Sequence, residues 1–376
     1  MLRYRKHLYD MKIVDLVIGA RPNIMKIAPL YHAFKNTDAI RTRLIFTGQH
    51  SSPEMMSNFL EIFDLPVSEF QLNNPGSSQI EQLSKVVDFY RGIVVQERPD
   101  LCLVVGDVTS SLACSLVASK EQIKLAHVEA GLRSGDRSMP EELNRLAIDS
   151  LSDYLFTPSI DADINLIAEN RNPNSIYMVG NVMIDSFKMV ESQIDRSKII
   201  DVLGLKSGDY GVVTFHRPVN VDNVENLQEI LNQLIRTSKL LPLVFPLHPR
   251  TRGRIDQFEL ENLLATSNIV FTDPLDYLDF MHLVKNAKLV ITDSGGVQEE
   301  TTYIGVPCLT ARENTERPIT IDLGTNRLVS IDKLFQSVQE TLSSPNKAHS
   351  IPQLWDGFAS RRIVEHIERI LENHEE

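Results

Sequence analysis

The chain has 376 residues, more than one ordinary hydrophobic core accommodates, so two domains are expected. Its 42% hydrophobic and 23% charged content is that of a globular protein, and a formal net charge of −12 without a long basic run argues against nucleic acid as a partner. Three widely spaced cysteines, Cys102, Cys114 and Cys308, give neither a disulfide framework nor a zinc pattern. No run approaches the ~18 apolar residues of a membrane span, and Met1 to Asp10 lacks the apolar core of a signal peptide, so the expected location is the cytoplasm.

In chain order, apolar runs alternate with helical periodicity. Ile13 to Ile18 reads as a strand, Gly19 to Pro22 as a turn, and Asn23 to Phe34 as a helix. Arg43 to Phe46 is a second strand, closed by Thr47, Gly48, Gln49 and His50. Helices are expected over Met55 to Phe63 and Ile80 to Glu97, with a loop at Asn73 to Ser78. Leu101 to Val105 is a strand running into Gly106 and Asp107, followed by a helix through Ser119. Leu125 to Val128 is a strand ending on Glu129, and Glu141 to Leu151 is helical. Tyr154 to Thr157 and Ile176 to Val179 are short strands.

A second series follows. Strands are expected at Tyr210 to Phe215, Pro242 to Leu247, Asn268 to Phe271, Lys288 to Ile291 and Val306 to Thr310. Helices are expected at Val224 to Arg236, at Tyr277 to Asn286 and just after Gly295 and Gly296. The last helix carries an apolar stripe of Ile363, Val364, Ile367, Ile370 and Leu371. Two series of alternating strands and helices imply two Rossmann-like halves with parallel sheets. Ligands in such folds sit beyond the carboxyl ends of the strands. Arg21, Gln49, Asp107, Glu129, His216, His248 and Ser294 all fall at or just after such an end, and they point to one cleft lined by both halves.

The stretch from Val290 to Glu300 has the make-up of a phosphate seat. A strand runs into Ser294, Gly295 and Gly296, whose backbone admits a close oxygen, and then into a helix whose free N–H groups favour an anion. Glu299 and Glu300 lie one turn in, where a carboxylate reaches sugar hydroxyls. Other candidates have plainer readings. Asp107 is placed to cap the helix after it. Glu141 and Glu142 complement a helix dipole, and Glu141 is also spaced to pair with Arg145. His216 and His248 suit turns and have no second ligand one helical turn away, so zinc is not indicated. Arg312 and Arg317 flank acids in a loop and read as a solvated charge cluster.

Taken together, certain blocks resemble one family. They are Gly19 to Pro22 with Lys26 to Pro29, Thr47 to His50, Gly106–Asp107, His127 to Arg133, Pro140 to Arg145, Gly180–Asn181, His216–Arg217, Thr292 to Glu300 and Thr315 to Pro318. In that order, over almost the whole chain, they resemble the non-hydrolysing UDP-N-acetylglucosamine 2-epimerases. The resemblance implies a GT-B architecture, α/β, with two Rossmann-like domains and the active site in the cleft between them. The expected domains are 1–173 with a returning helix at 355–376, and 174–354. It implies interconversion of UDP-GlcNAc and UDP-ManNAc with neither metal nor nicotinamide, by elimination of UDP to 2-acetamidoglucal and re-addition. It also implies a UDP-sugar as the ligand, no membrane partner, a homodimer, and a supply of ManNAc-type sugars for surface polysaccharide. A relative acting on a UDP-2,3-diacetamido uronate and a GT-B glycosyltransferase are the alternatives.

By the same resemblance, Asp107, Glu129 and Glu141 match catalytic acids and His216 a histidine near the phosphates. Crowded carboxylates in a closed cleft are expected to raise at least one pKa. Arg21 and Ser294 to Gly296 match the diphosphate seat, Glu300 the ribose contact and Arg317 a residue facing the sugar. Lys26 and His248 join the substrate-binding candidates, and Phe280 is placed to pack near the uracil. The chain departs from the family at Val219–Asn220, where a Glu usually precedes the Asn, and is two residues shorter between Arg133 and Pro140. It also departs at Ser51 to Pro53 and in the loop at Asn73 to Ser78, positions that resemble the second, regulatory UDP-GlcNAc site of bacterial members. Activation by UDP-GlcNAc is therefore expected to be weak or lost. Rates measured in UDP-ManNAc, with and without added UDP-GlcNAc, should differ little; a strict requirement for UDP-GlcNAc would contradict this.

Overall fold

The structure, a computed structural model, describes residues 11–48, 53–73, 76, 78–264, 267–344 and 349–372. Gln49 to Ser52 and most of the loop at 74–77 lie outside the described residues, as do the side chains of Arg21 and of 53–56. The chain divides into one compact unit of Met1–Met189 with Gln353–Glu376 and a second of Val190–Pro352.

In chain order the first unit contains β1 (Lys12–Ile18), α1 (Arg21–Phe34), β2 (Ile40–Phe46), α2 (Pro53–Ile62), β3 (Phe70–Gln71) and α3 (Gln79–Gln96). It continues with β4 (Leu101–Val105), α4 (Thr109–Lys120), β5 (Lys124–Val128), α5 (Pro140–Leu151), β6 (Tyr154–Thr157), α6 (Ile160–Ala168), β7 (Ile176–Met178) and α7 (Val182–Ile194), which runs on into the second unit. The sheet order is β3-β2-β1-β4-β5-β6-β7, with every pair parallel. Strands covered on both faces must be apolar throughout, and β4 is buried at every position. The expected division at 173/174 would part β7 from this sheet, yet β7 pairs with β6.

β1 is not the uniformly apolar strand its sequence suggests. Asp15 stands opposite Arg43 of β2 and is bonded by its Nε at 2.6 Å and Nη2 at 2.8 Å, with Tyr90 Oη donating at 2.9 Å. Burial pushes the Asp15 pKa up, and the Arg43 guanidinium only partly offsets it.

The second unit contains α8 (Ile199–Val202), β8 (Gly211–Thr214), α9 (Pro218–Val221), α10 (Val224–Ser238), β9 (Leu243–Pro246), α11 (Pro249–Gln257) and α12 (Glu261–Leu264). Then come β10 (Ile269–Thr272), α13 (Tyr277–Lys285), β11 (Leu289–Thr292), α14 (Gly295–Ile304), β12 (Cys308–Thr310), α15 (Ile319–Asp322), β13 (Asn326–Leu328) and α16 (Leu334–Ser343). Its parallel sheet runs β10-β9-β8-β11-β12-β13. Both units thus wind outward in opposite directions from a central pair, β1/β4 in one and β8/β11 in the other, as expected for the two Rossmann-like halves of a GT-B fold. The direction of winding reverses there while the strands stay parallel, which leaves a crevice past the strand ends. The turns after β1 and β4, and those after β8 and β11, carry Arg21, Asp107, His216 and Ser294 respectively.

The last helix, α17 (Ala359–Glu372), belongs to the first unit, where it packs on α1. Ile363, Val364, Ile367 and Leu371 are its buried stripe, and Ile370 is only half-buried. Each such side chain contributes about 1.5–3 kcal/mol when fully buried. Asp185 of α7 holds its start, accepting from Ala359 N at 3.1 Å, Ser360 N at 2.7 Å and Ser360 Oγ at 2.6 Å. Trp355 Nε1 donates to Pro158 O at 2.9 Å just before it. All three cysteines are buried, and no helix among the described residues is long and apolar enough to cross a membrane.

Asp185→Ala leaves those buried donors unpaired and should destabilise the first unit by about 2–3 kcal/mol. Hydrogen exchange should speed up across α17 first. Unchanged protection there would show that the cap is dispensable.

Candidate active site

In the first unit, the candidate acids stand where β4, β5 and α5 end or begin. β4 runs into Gly106, whose φ is 64°, and Asp107 follows. β5 runs into Glu129, which holds the left-handed conformation at φ 67° despite its side chain. That conformation is uncommon outside glycine and marks a position over-determined by its surroundings. Glu129 is buried and forms a contact ion pair with buried Lys26 of α1 through Oε2. Its Oε1 is buried without a hydrogen-bond partner. A Cβ at Gly106 would lie 3.1 Å from Glu129 Oε2 and 3.4 Å from Lys26 Nζ, so glycine leaves this pair its room. Asn23 fixes the start of α1 beside it, donating to Val105 O at 2.9 Å and accepting from Ala20 N at 2.9 Å.

Asp107 does not cap the helix that follows. Val108 is the N-cap of α4, and the Asp107 carboxylate pairs with Arg145 Nη1 while its carbonyl accepts from Asn144 Nδ2 at 2.8 Å. The two acids that open α5 separate by role. Glu142 is buried and accepts from Ser134 N at 3.0 Å, Gly135 N at 2.9 Å and Arg145 Nη2 at 2.8 Å. Glu141 is exposed, with no ion pair among the described residues. The expected Glu141–Arg145 pair is not formed, because Arg145 turns to the buried Glu142 and to Asp107. Glu129 pairs with Lys26, and Asp107 and Glu142 share Arg145.

In the second unit, buried Asp293 organises the turns after β8 and β11. It accepts from His216 N at 3.1 Å, Arg217 N at 2.9 Å and Asn220 Nδ2 at 3.0 Å, and His216 Nδ1 lies 3.1 Å from Oδ1. Burial alone would raise its pKa, but His216 and the other donors hold it below the usual carboxylate range. The His248 ring lies 5.5 Å from that of His216, and its Nδ1 accepts from Arg250 N at 3.2 Å to cap α11. Ser294 is the N-cap of α14 but makes no side-chain cap bond. The first N–H groups of α14, at Gly295 and Gly296, have no intrahelical acceptor and form a candidate anion seat.

Arginines line that seat. Arg312 and Arg317 are not a solvated cluster, since their side chains are only 4% and 10% exposed. Both pair with Glu316, Arg312 at 2.8 Å, and Arg217 Nη2 lies 3.8 Å from it. Arg317 also reaches Glu299 at 2.9 Å. Burial would raise Glu316, yet Arg317 and Arg312 hold it well below the carboxylate range. Arg217 is pulled down by its burial and by the charge of Arg312. A Cβ at Gly295 would meet Arg317 Nη1 at 2.7 Å and Glu316 Oε1 at 2.8 Å, so glycine is what brings helix and guanidinium together.

Glu300, one turn into α14, is buried and accepts from Tyr277 Oη at 2.9 Å. Burial pushes its pKa up to about 8, so it carries its proton at neutral pH. Phe280 lies on α13 with Tyr277 and is half-buried. A buried amide network absent from the sequence reading joins these parts. Gln298 Nε2 donates to Ser294 O at 3.0 Å, and its Oε1 accepts from Thr315 Oγ1 at 2.7 Å and Asn326 Nδ2 at 2.9 Å. The only hint in the sequence was Gln298 itself, polar in a helix that must face the core. The second unit can therefore seat a polyanion, and the first presents carboxylates suited to proton transfer, one beside a lysine.

A family model described as UDP-N-acetylglucosamine 2-epimerase matches residues 32–368. The chain is 38% identical over 360 residues to the UDP-N-acetylglucosamine 2-epimerase of Methanocaldococcus jannaschii, covering 93% of this chain and 97% of that one. It is 35% identical over 367 residues to the UDP-2,3-diacetamido-2,3-dideoxy-D-glucuronate 2-epimerase of Pseudomonas aeruginosa, covering 96% and 100%. Its structure is similar to the crystal structure of the M. jannaschii UDP-GlcNAc 2-epimerase in complex with UDP-GlcNAc and UDP, with TM-score 0.87 and 37% identity over 96% of this chain and 100% of that one.

Glu300 makes stability depend on pH. Between its ordinary value of 4.5 and its folded value of about 8, the unfolded chain loses a proton that the folded chain keeps, so stability falls as pH rises through that window. Glu300→Gln removes the effect. Relative to wild type, the variant should gain roughly 3–5 kcal/mol between pH 4.5 and pH 8 in denaturation of the unliganded protein. A difference that does not change with pH would mean that Glu300 ionises normally.

Proposed function

Since the chain belongs to the UDP-N-acetylglucosamine 2-epimerase family, we propose that it interconverts UDP-GlcNAc and UDP-ManNAc without hydrolysis. The hydrogen on C2 of the sugar is weakly acidic, so removing it needs a departing group on the neighbouring carbon. A carboxylate takes the C2 proton as the C1–O bond to the diphosphate breaks, giving UDP and 2-acetamidoglucal. UDP then adds back at C1 while C2 receives a proton on its other face. Atoms balance without a redox partner.

The observation that carries this reading is the unpartnered, buried Oε1 of Glu129, whose other oxygen is held by Lys26. A carboxylate so anchored keeps one oxygen available for a proton. Asp107 and Glu141 are the further proton-handling groups, since two faces of C2 must be served. Arg21, Ser294, Gly295 and Gly296 bind the diphosphate, and His216 and His248 steady its charge as it leaves. Arg317 faces the sugar, Glu300 meets the ribose hydroxyls and Phe280 packs near the uracil. The product serves synthesis of ManNAc-containing surface polysaccharide and the protein acts as a homodimer, two points that rest on the resemblance alone; its cytoplasmic location rests on the make-up of the sequence.

Proton NMR of the protein with UDP-GlcNAc in D2O tests the reading. UDP-ManNAc should appear with deuterium at C2 and the diphosphate still attached. Glu129→Gln should slow that exchange by roughly 10²–10⁴-fold. Free ManNAc and UDP would replace the proposal with a hydrolysing reaction. Exchange only with a UDP-2,3-diacetamido uronate would move the substrate to that of the Pseudomonas relative.

A further inference from the structure

One buried cluster in the first unit is used by none of the steps above. His127, in β5, is fully buried. Its Nδ1 lies 2.6 Å from Asp149 Oδ1, and its Nε2 lies 3.1 Å from the carbonyl oxygen of Gly106. Asp149 is on α5, two turns after Glu141, and its other oxygen accepts from Gly131 N at 3.0 Å and pairs with Arg133 Nη2 at 2.7 Å. Arg133 is held in turn by Glu169, with Nε and Nη2 each at 2.7 Å.

The imidazole therefore bonds to two acceptors. A carbonyl oxygen only accepts, so Nε2 must carry a proton. Asp149, which already accepts from Gly131 N and Arg133 Nη2, faces Nδ1 at 2.6 Å. The ring is thus placed between two backbone turns and one helix. Each of the three carries a candidate acid. Gly106 precedes Asp107, and its left-handed φ is fixed where His127 grips the carbonyl. Glu129 is two residues beyond His127 and stands between it and Gly131, whose N–H is bound by Asp149. α5 supplies Glu141 and also Arg145, which holds Asp107.

We propose that His127, held between Asp149 and the Gly106 carbonyl, is a positioning residue that sets the spacing of Asp107, Glu129 and Glu141. It touches no substrate. Its role is to lock the ends of β4 and β5 to α5, so that one proton is removed from C2 and another delivered to its opposite face before the glycal escapes. The inference rests on the reading of these acids given above. Misplacing a reacting group by about 1 Å costs on the order of 10²-fold in rate while leaving ground-state binding largely intact.

Two variants separate the bonds. His127→Asn retains a donor toward Asp149 only, and His127→Gln one toward Gly106 only. With each, kcat for UDP-GlcNAc should fall roughly 30- to 100-fold while KM changes less than about threefold. Free UDP and 2-acetamidoglucal should accumulate relative to epimer, because return of the proton is no longer aligned. A kcat within twofold of wild type, or KM rising in step with the loss of kcat, overturns the proposal. The second measurement needs no variant to fold and no turnover: nitrogen NMR of wild-type protein labelled in histidine. A proton on the His127 Nε2, hydrogen-bonded to the Gly106 carbonyl, is expected, and an Nε2 without a proton overturns the proposal. If the wild type fails to epimerise UDP-GlcNAc, the functional reading fails, and the nitrogen spectrum still decides whether the bond from His127 to Gly106 exists.

Discussion

A carboxylate taken out of water must be surrounded by donors, and much of this molecule is built to meet that requirement. Asp149 gathers His127, Gly131 N and Arg133; Glu142 gathers two backbone amides and Arg145; Asp293 gathers the turn at His216 and Arg217 with Asn220. An unpaired buried charge would cost several kcal/mol, so each of these groups fixes the geometry of whatever supplies its donors. What they fix, in each case, is a turn at the carboxyl end of a parallel strand.

Against this background the incompletely matched groups stand out. Glu129 has a bare oxygen inside the protein, and Glu141 projects from the same helix whose neighbouring acid is fully occupied. The second unit applies the same logic to cations. Burial and the charge of Arg312 depress the pKa of Arg217, and Glu316 is the shared counter-charge of Arg217, Arg312 and Arg317 beside the start of α14.

Much of this was legible in the sequence because parallel strands are short apolar runs and their ends are abrupt. β4, β6 and β11 announce themselves, and the polar residue just past each end needs no structure to be noticed. Pairing across elements is what a linear reading lacks. Glu141 and Glu142 are adjacent and chemically alike, and only the position of the 134–135 backbone tells them apart. Asp15 stands in a strand that reads as apolar, and its partner, Arg43, lies on another strand whose register is invisible before folding. α7 went unread although Gly180 turns the chain before it at φ 93° and Asn181 caps it, accepting from Met183 N at 2.9 Å. Arg312 and Arg317 look solvated beside their local acids, and their burial depends on α14 and on the amide network through Gln298 and Asn326.

The clasp of Asp185 on the start of α17 bears on how the chain is made. The second unit is one uninterrupted segment, Val190–Pro352, whereas the first needs both Met1–Met189 and Gln353–Glu376. During synthesis from the N-terminus, the first unit is begun earlier yet waits for the final residues to leave the ribosome before α1 acquires its cover. The second can complete its core while that face of α1 is still bare. Domains generally fold as units in order of synthesis. Here the order of completion is reversed, and the nascent first unit is the species that would call on a chaperone.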